Sequence, residues 1–128
     1  MSTTYESPVI SIDNGLAEGV YAASGAGSLT FDNKFVWEPG RRISWRLNWS
    51  GIEGTITLTT TFSVSIDEIA MTYGDGTTET FQGGGSNTVT VSFPSSKGCP
   101  CWLGVLSYNG SESNADSFEL TGYSYSVQ

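Results

Sequence analysis

Large apolar residues recur at every second position through much of this chain. In Arg42-Ile43-Ser44-Trp45-Arg46-Leu47-Asn48-Trp49, the odd positions are apolar and the even ones polar. That period of two places Ile43, Trp45, Leu47 and Trp49 on one face of a strand, and Arg42, Ser44, Arg46 and Asn48 on the other. Thr55 to Phe62, Ile69 to Tyr73 and Thr88 to Phe93 alternate in the same way. No window of a dozen residues shows the i, i+3, i+4, i+7 pattern of an amphipathic helix. Turn-forming clusters separate the runs: Asp13-Asn14-Gly15, Asp32-Asn33, Glu38-Pro39-Gly40, Ser50-Gly51, Gly74-Asp75-Gly76, Gly83-Gly84-Gly85, Pro94 to Gly98 and Asn109-Gly110.

This punctuation predicts strands near residues 8–12, 19–23, 28–37, 41–49, 54–62, 66–73, 77–82, 87–93, 102–108 and 117–127. Asp32-Asn33 is expected to split the third of these into a hairpin. Gly83-Gly84-Gly85 is expected to be a flexible hairpin connection, because no helix start follows it to make a phosphate site. Eight to ten short strands read as an all-β, two-sheet antiparallel sandwich or jelly roll. The 128 residues form one domain, with no linker or repeat. Trp45, Phe62, Phe93, Phe118 and Leu120 fall on the apolar phase and are expected in the core.

Composition fits that picture. Only 14% of residues are charged, against about 25% in average soluble domains. Ser, Thr, Asn and Gly supply the polarity, as exposed strands prefer. The formal net charge of -8 disfavours nucleic acid and anionic membranes. No apolar stretch is long enough for a spanning helix, so no membrane insertion is expected. Met1 to Glu6 has neither the basic nor the apolar region of a signal peptide. The composition nevertheless resembles that of extracellular β-modules, so an extracellular or cell-surface location is expected.

There is no histidine, which removes Ser-His-Asp and Cys-His catalysis and His-ligated zinc. Paired carboxylates remain for glycoside hydrolysis, namely Glu112, Asp116 and Glu119, or Asp67 and Glu68. Thirteen acids produce such neighbours by chance, so no enzyme activity is expected. No cofactor is implied. Asp13-Asn14-Gly15, Asp32-Asn33, Asp75-Gly76 and Asn114 to Asp116 offer oxygens to a structural calcium, although turn propensity alone explains all four. Arg42 and Arg46 share a strand face; they pair with neighbouring carboxylates or form a small site for an acidic sugar or other anion.

Both cysteines lie in Gly98-Cys99-Pro100-Cys101-Trp102. Three readings stand: two reduced thiols, a tight local disulfide, or bridges to another chain. Two thiolates alone do not complete a zinc site.

The aromatic residues carry the functional expectation. Trp37 and Trp102 border turns, and Tyr108 precedes Asn109-Gly110. At Gly122 the apolar phase changes from Phe118 and Leu120 to Tyr123, Tyr125 and Val127. Either a bulge turns these tyrosines inward, or a straight strand shows them as an outward pair. Sugars stack their C–H faces on flat exposed rings while amides and carboxylates bind their hydroxyls. The candidate ligand-binding set is therefore Trp37, Trp102, Tyr108, Tyr123, Tyr125, Asn109 and Glu112.

Ser113-Asn114-Ala115-Asp116-Ser117-Phe118-Glu119-Leu120-Thr121 resembles the final strand of jelly-roll carbohydrate-binding modules, which often close on an Asp-aromatic-acid-Leu pattern. The resemblance covers about a tenth of the chain. It implies a sandwich that binds polysaccharide or another glycan without catalysis. The competing expectation is a structural subunit of a surface fibre, pilus or phage particle, with self-association through the cysteines or an apolar patch.

Overall fold

The computed structural model describes residues 3–7, 27–37, 42–109 and 119–128, with the backbone alone at 3–7, 32–37, 42 and 109. Seven strands follow in chain order: β1 (Thr3–Ser7), β2 (Ser28–Trp37), β3 (Arg42–Ser50), β4 (Thr55–Thr72), β5 (Thr78–Pro94), β6 (Cys101–Asn109) and β7 (Leu120–Val127). A 3₁₀ turn, Ser95–Lys97, follows β5. The fold is all-β, as the alternation predicted, and every strand pairing is antiparallel. Among the described residues, no helix is long and apolar enough to cross a membrane. The expected strands near 8–12 and 19–23 lie outside the described residues.

The pairing differs from two separate sheets. All seven strands join in one hydrogen-bonded sheet, in the order β1-β7-β4-β6-β3-β2, with β5 also on β4. β4 makes this possible. One of its edges pairs with β5, while the other is shared, Ile56–Phe62 with β7 and Ser65–Thr72 with β6. The handover falls where the β4–β5 register shifts, between Thr61 and Ile66. Extra unpaired residues bend a strand and increase its twist, so the sheet folds over at this point.

The fold brings distant strands face to face. Trp45 of β3 meets Phe62 of β4, with ring centroids 5.4 Å apart. Phe31 of β2 meets Tyr123 of β7 edge-on at 5.0 Å. Phe93 of β5 lies 5.4 Å from Trp49 and 5.5 Å from Tyr73. Ile43, Leu47, Ile56, Leu58, Ile66, Ile69 and Leu103 fill the space between. Burying each such side chain contributes roughly 1.5–3 kcal/mol. Trp45, Phe62, Phe93 and Leu120 are buried as expected; Phe118 lies outside the described residues.

Three turn expectations are corrected. The runs expected at 54–62 and 66–73 are one strand, β4, and those at 77–82 and 87–93 are one strand, β5. Gly83-Gly84-Gly85 is not a hairpin connection but a bulge inside β5, where Asp67 alone stands opposite it between the pairs Ile66–Ser86 and Glu68–Gln82. Glycine is required there: a Cβ on Gly83 would collide with the Ile66 carbonyl, and Gly84 has φ +67°. Asp32-Asn33 is likewise no hairpin turn, because β2 runs through it with a register shift between Phe31 and Asn33. In each case a bulge absorbs residues whose local preference is for a turn.

Candidate functional site: an arginine and tryptophan face on β3 and β6

The outer face of the β3–β6–β4 region carries the described chemistry best placed for binding. The register aligns Asn33, Arg46, Trp102, Thr72 and Thr78 in one row across five strands. Within that row the Arg46 guanidinium lies over the Trp102 ring, 6.0 Å from its centroid, which is within the range of a cation–π contact. Thr72 and Thr78 share a hydrogen bond of 3.2 Å. Trp102 is half-buried, as are Arg46 and Asn48. The adjacent row, Ser44, Gly104 and Ala70, is built of small residues. Ser44 and Ala70 are only 2% and 4% exposed although alternation puts them on the outer side, so this row lies beneath the surface.

The rest of the expected set is dispersed. Tyr108 is half-buried and packs on the core from the far end of β6. Trp37 is opposite Arg42 in the β2–β3 register, and Asn109 is opposite Ser65. Glu112 lies outside the described residues. Tyr123 and Tyr125 are corrected: they are 5% and 1% exposed and offer no outward ring pair. A register shift between Thr61 and Phe62 leaves Thr121 as the extra residue beside Gly122, turning both tyrosines inward. Their hydroxyls donate to backbone carbonyls, Tyr123 to Leu29 at 3.0 Å and Tyr125 to Gly27 at 3.4 Å. These bonds tie β7 to β2 and its lead-in.

Three acidic side chains among the described residues are engaged in structural bonds. Glu68 accepts from the Gln82 amide at 2.9 Å, and Glu79 accepts from the Tyr73 hydroxyl at 2.7 Å. Asp75 closes its own turn, accepting from the backbone and hydroxyl of Thr77 at 2.9 and 2.6 Å. These bonds hold its carboxyl below the usual carboxylate range. Lys97 reaches the same turn, 3.9 Å from Asp75 and over the Tyr73 ring at 5.6 Å. Burial, followed by the Glu79 bond, raises the Tyr73 phenol well above its ordinary value. Among the described residues, no three metal-ligating side chains converge. The clusters around Asp13 and Asn114 lie outside the described residues.

Both cysteines are free thiols. Cys99 is exposed and donates to the Trp49 carbonyl at 3.3 Å. Cys101 is buried in the core. Burial, with a smaller contribution from Cys99, pushes its thiol up to about 12, which leaves it unreactive near neutral pH.

Four of the five bases, Lys34, Arg41, Arg42 and Arg46, lie between residues 34 and 46, with Glu38 the only acid among them. Of these, Lys34 is on β2 and Arg42 and Arg46 are on β3, where Arg46 is opposite Trp102; Arg41 lies outside the described residues. No family model matches the chain, and no match was found among curated proteins or solved structures.

Proposed function

We propose that this chain is a non-catalytic module that binds a glycan outside the cell, through the outer face of β3, β6 and β4. The observation that carries this reading is the half-exposed Trp102 ring on a central strand, with the Arg46 guanidinium and the Thr72 and Thr78 hydroxyls beside it. A sugar presents apolar C–H faces and polar hydroxyls together. An indole covers the first, while threonine, asparagine and arginine side chains bind the second. β6 is paired on both edges, by β3 and β4, so the ring is held in place before a ligand arrives. Such preorganisation lowers the entropy cost of binding. The non-catalytic part of the reading rests on the absence of histidine and on the structural bonds that Glu68, Glu79 and Asp75 make.

Affinity electrophoresis against a panel of soluble polysaccharides tests the proposal. At least one polymer should retard the wild-type chain, and Trp102→Ala should weaken that binding about tenfold or more, the effect of losing roughly 1.4 kcal/mol. Migration unaffected by every polymer would reject it.

A second reading, a structural subunit of a fibre, pilus or phage particle, has one observation in its favour. Among the described residues β5 pairs with β4 alone and leaves its other edge open, a template for a strand from another chain. The three-glycine bulge and Pro94 interrupt that edge, as native edges resist pairing, so the glycan reading is preferred. Sedimentation showing a concentration-independent monomer, with and without reductant, would remove the second reading.

A further inference from the structure

The ladder on β4 decides which backbone groups of β5 point away from the sheet. Thr55 and Gln128 exchange both backbone hydrogen bonds, each at 3.0 Å. Such narrow pairs recur at every second residue of an antiparallel ladder. The odd-numbered residues of β4 from Thr55 to Thr61 therefore turn their N–H and C=O groups toward β7, and the even-numbered ones turn theirs toward β5. The Ser95 N–H donates to the Gly54 carbonyl at 2.8 Å in the same phase. Across the β4–β5 register the even-numbered residues meet Phe93, Val91 and Val89. Thr88, Thr90, Ser92 and Pro94 thus direct their backbone groups to the other side, where no strand pairs with β5 among the described residues.

That open edge has two stops. Pro94 has no N–H to present, as befits a proline on the free side of an edge strand. At the other end the Thr88 N–H is held by the Ser86 hydroxyl at 3.1 Å. Between the stops, the Thr88 carbonyl and both backbone groups of Thr90 and Ser92 point outward, and all three side chains are exposed. Native edges are commonly guarded by charge. Here no charged residue occurs from Gly83 to Ser96, or from Gly54 to Ile66 on the neighbouring strand.

We propose that Thr88 to Ser92 is a dimerisation edge whose partner is the same segment of a second copy, antiparallel across a two-fold axis at Thr90. The segment is complementary to itself. With Thr90 opposite the second copy's Thr90, Thr88 meets the second copy's Ser92, and the hydroxyl-bearing side chains of both copies stay on one face. The two Thr90 residues exchange both backbone bonds, and each Ser92 N–H donates to the opposing Thr88 carbonyl. An isologous pair uses the same edge on both copies, so assembly closes at two and builds no fibre. A net charge of -8 on each copy opposes any self-association. The paired segments add no acid to that repulsion, and salt screens the remainder beyond about 8 Å at physiological ionic strength. So short an edge falls below a standard interface of roughly 20–30 residues a side, which makes the dimer weak. This inference is independent of the glycan reading.

Sedimentation velocity on the full chain tests it, with and without reductant, from about 10 μM to about 1 mM, where small interfaces associate. The average mass should rise toward two copies and stop there. The rise should begin at lower protein concentration in ~1 M salt than in ~0.01 M salt, because screening weakens repulsion between like-charged copies. Thr90→Lys sets like charges opposite each other at the axis and should weaken association about tenfold or more. Ser92→Pro removes the N–H donated to the second copy while keeping every backbone bond to β4, and should do the same. Thr59→Val removes the hydroxyl bonded to Thr90 without touching the edge and should dimerise like the wild type. Should Thr90→Lys lower the thermal unfolding midpoint, Ser92→Pro decides. A monomer at every concentration overturns the inference, as does a dimer indifferent to both edge variants. A dimer lost in reductant would belong to the exposed Cys99, and mass rising past two copies would favour the fibre reading; either result overturns it too. The glycan reading stands in every case, since its polysaccharide panel is scored separately.

Discussion

The first half of β4 and the middle of β3 both alternate between core and outer face, and they present very different outer faces. Along β4 the outward residues are Thr57, Thr59 and Thr61, hydrogen-bonded across to Ser92, Thr90 and Thr88 of β5 at 2.9, 3.1 and 3.4 Å. Along β3 they are Arg46 and Asn48, with Trp102 beside Arg46. The hydroxyl ladder satisfies its donors and acceptors sideways, within the protein. The arginine and tryptophan face brings charge and a flat apolar surface, which no hydroxyl row can supply. Polarity alone therefore does not mark a binding face. What distinguishes one is chemistry that serves a ligand better than it serves the neighbouring strand.

That contrast depends on the sheet folding where β4 changes partners, and the strongest way to break it is there. Phe62 ends the β4–β7 pairing and packs on Trp45. Phe62→Ala should cost about 3–5 kcal/mol, read by urea unfolding, and should weaken both faces together. A loss under about 1 kcal/mol would mean that the layers do not depend on this contact.

The bulge opposite the handover comes next. Gly83→Ala places a Cβ against the Ile66 carbonyl and should cost about 1–3 kcal/mol, as overpacking does. Gly84→Ala meets nothing within 4 Å and strains only its positive φ, so its loss should be the smaller. The reverse order in thermal melts would argue against the bulge geometry.

Alkaline pH should weaken the core beneath both faces. The folded Cys101 thiol is raised from 9.0 to about 12, and Tyr73 is raised as well. The unfolded chain releases these protons first, so it binds fewer protons than the native state, and stability falls as pH climbs. For Cys101 the fall begins near its ordinary value and continues toward about 12, at up to roughly 1.4 kcal/mol per pH unit. Cys101→Ala should remove that share from unfolding curves taken between neutral pH and pH ~10.5; an unchanged slope would contradict it.

The smallest effect sharpens the comparison most. Thr59→Val should cost no more than about 1 kcal/mol, the scale of one cross-strand pair, and should leave polysaccharide retardation unchanged. Trp102→Ala should do the opposite, with a clear loss of binding. If Thr59→Val weakened retardation as much as Trp102→Ala, the binding face would be on the wrong side of the sheet.

Much of the fold was legible as a sequence. A period of two is a geometric property of a single strand, so Ile43, Trp45 and Leu47, or Ile56, Leu58 and Phe62, identify their own inward face. Gly83-Gly84-Gly85 misled because glycine permits a turn and a bulge equally, and only the partner strand decides which forms. Tyr123 and Tyr125 were ambiguous for the same reason: a one-residue slip at Thr121 reverses the face of everything after it. The candidate site was partly visible. Trp102 stood out by its place beside a turn, while the pairing of Arg46 with Trp102 joins residues 46 and 102, which lie far apart in the chain.

The amino-acid order by itself determined the strand class, most of the core and the concentration of four bases in one short stretch. Each of these depends on near neighbours, which a chain carries with it before it folds. Tertiary structure alone decided that β4 serves two partners on one edge, that two tyrosines close the core, and that Arg46 lies over Trp102. Those outcomes depend on register between distant segments, and register is set by the packing of the whole sheet.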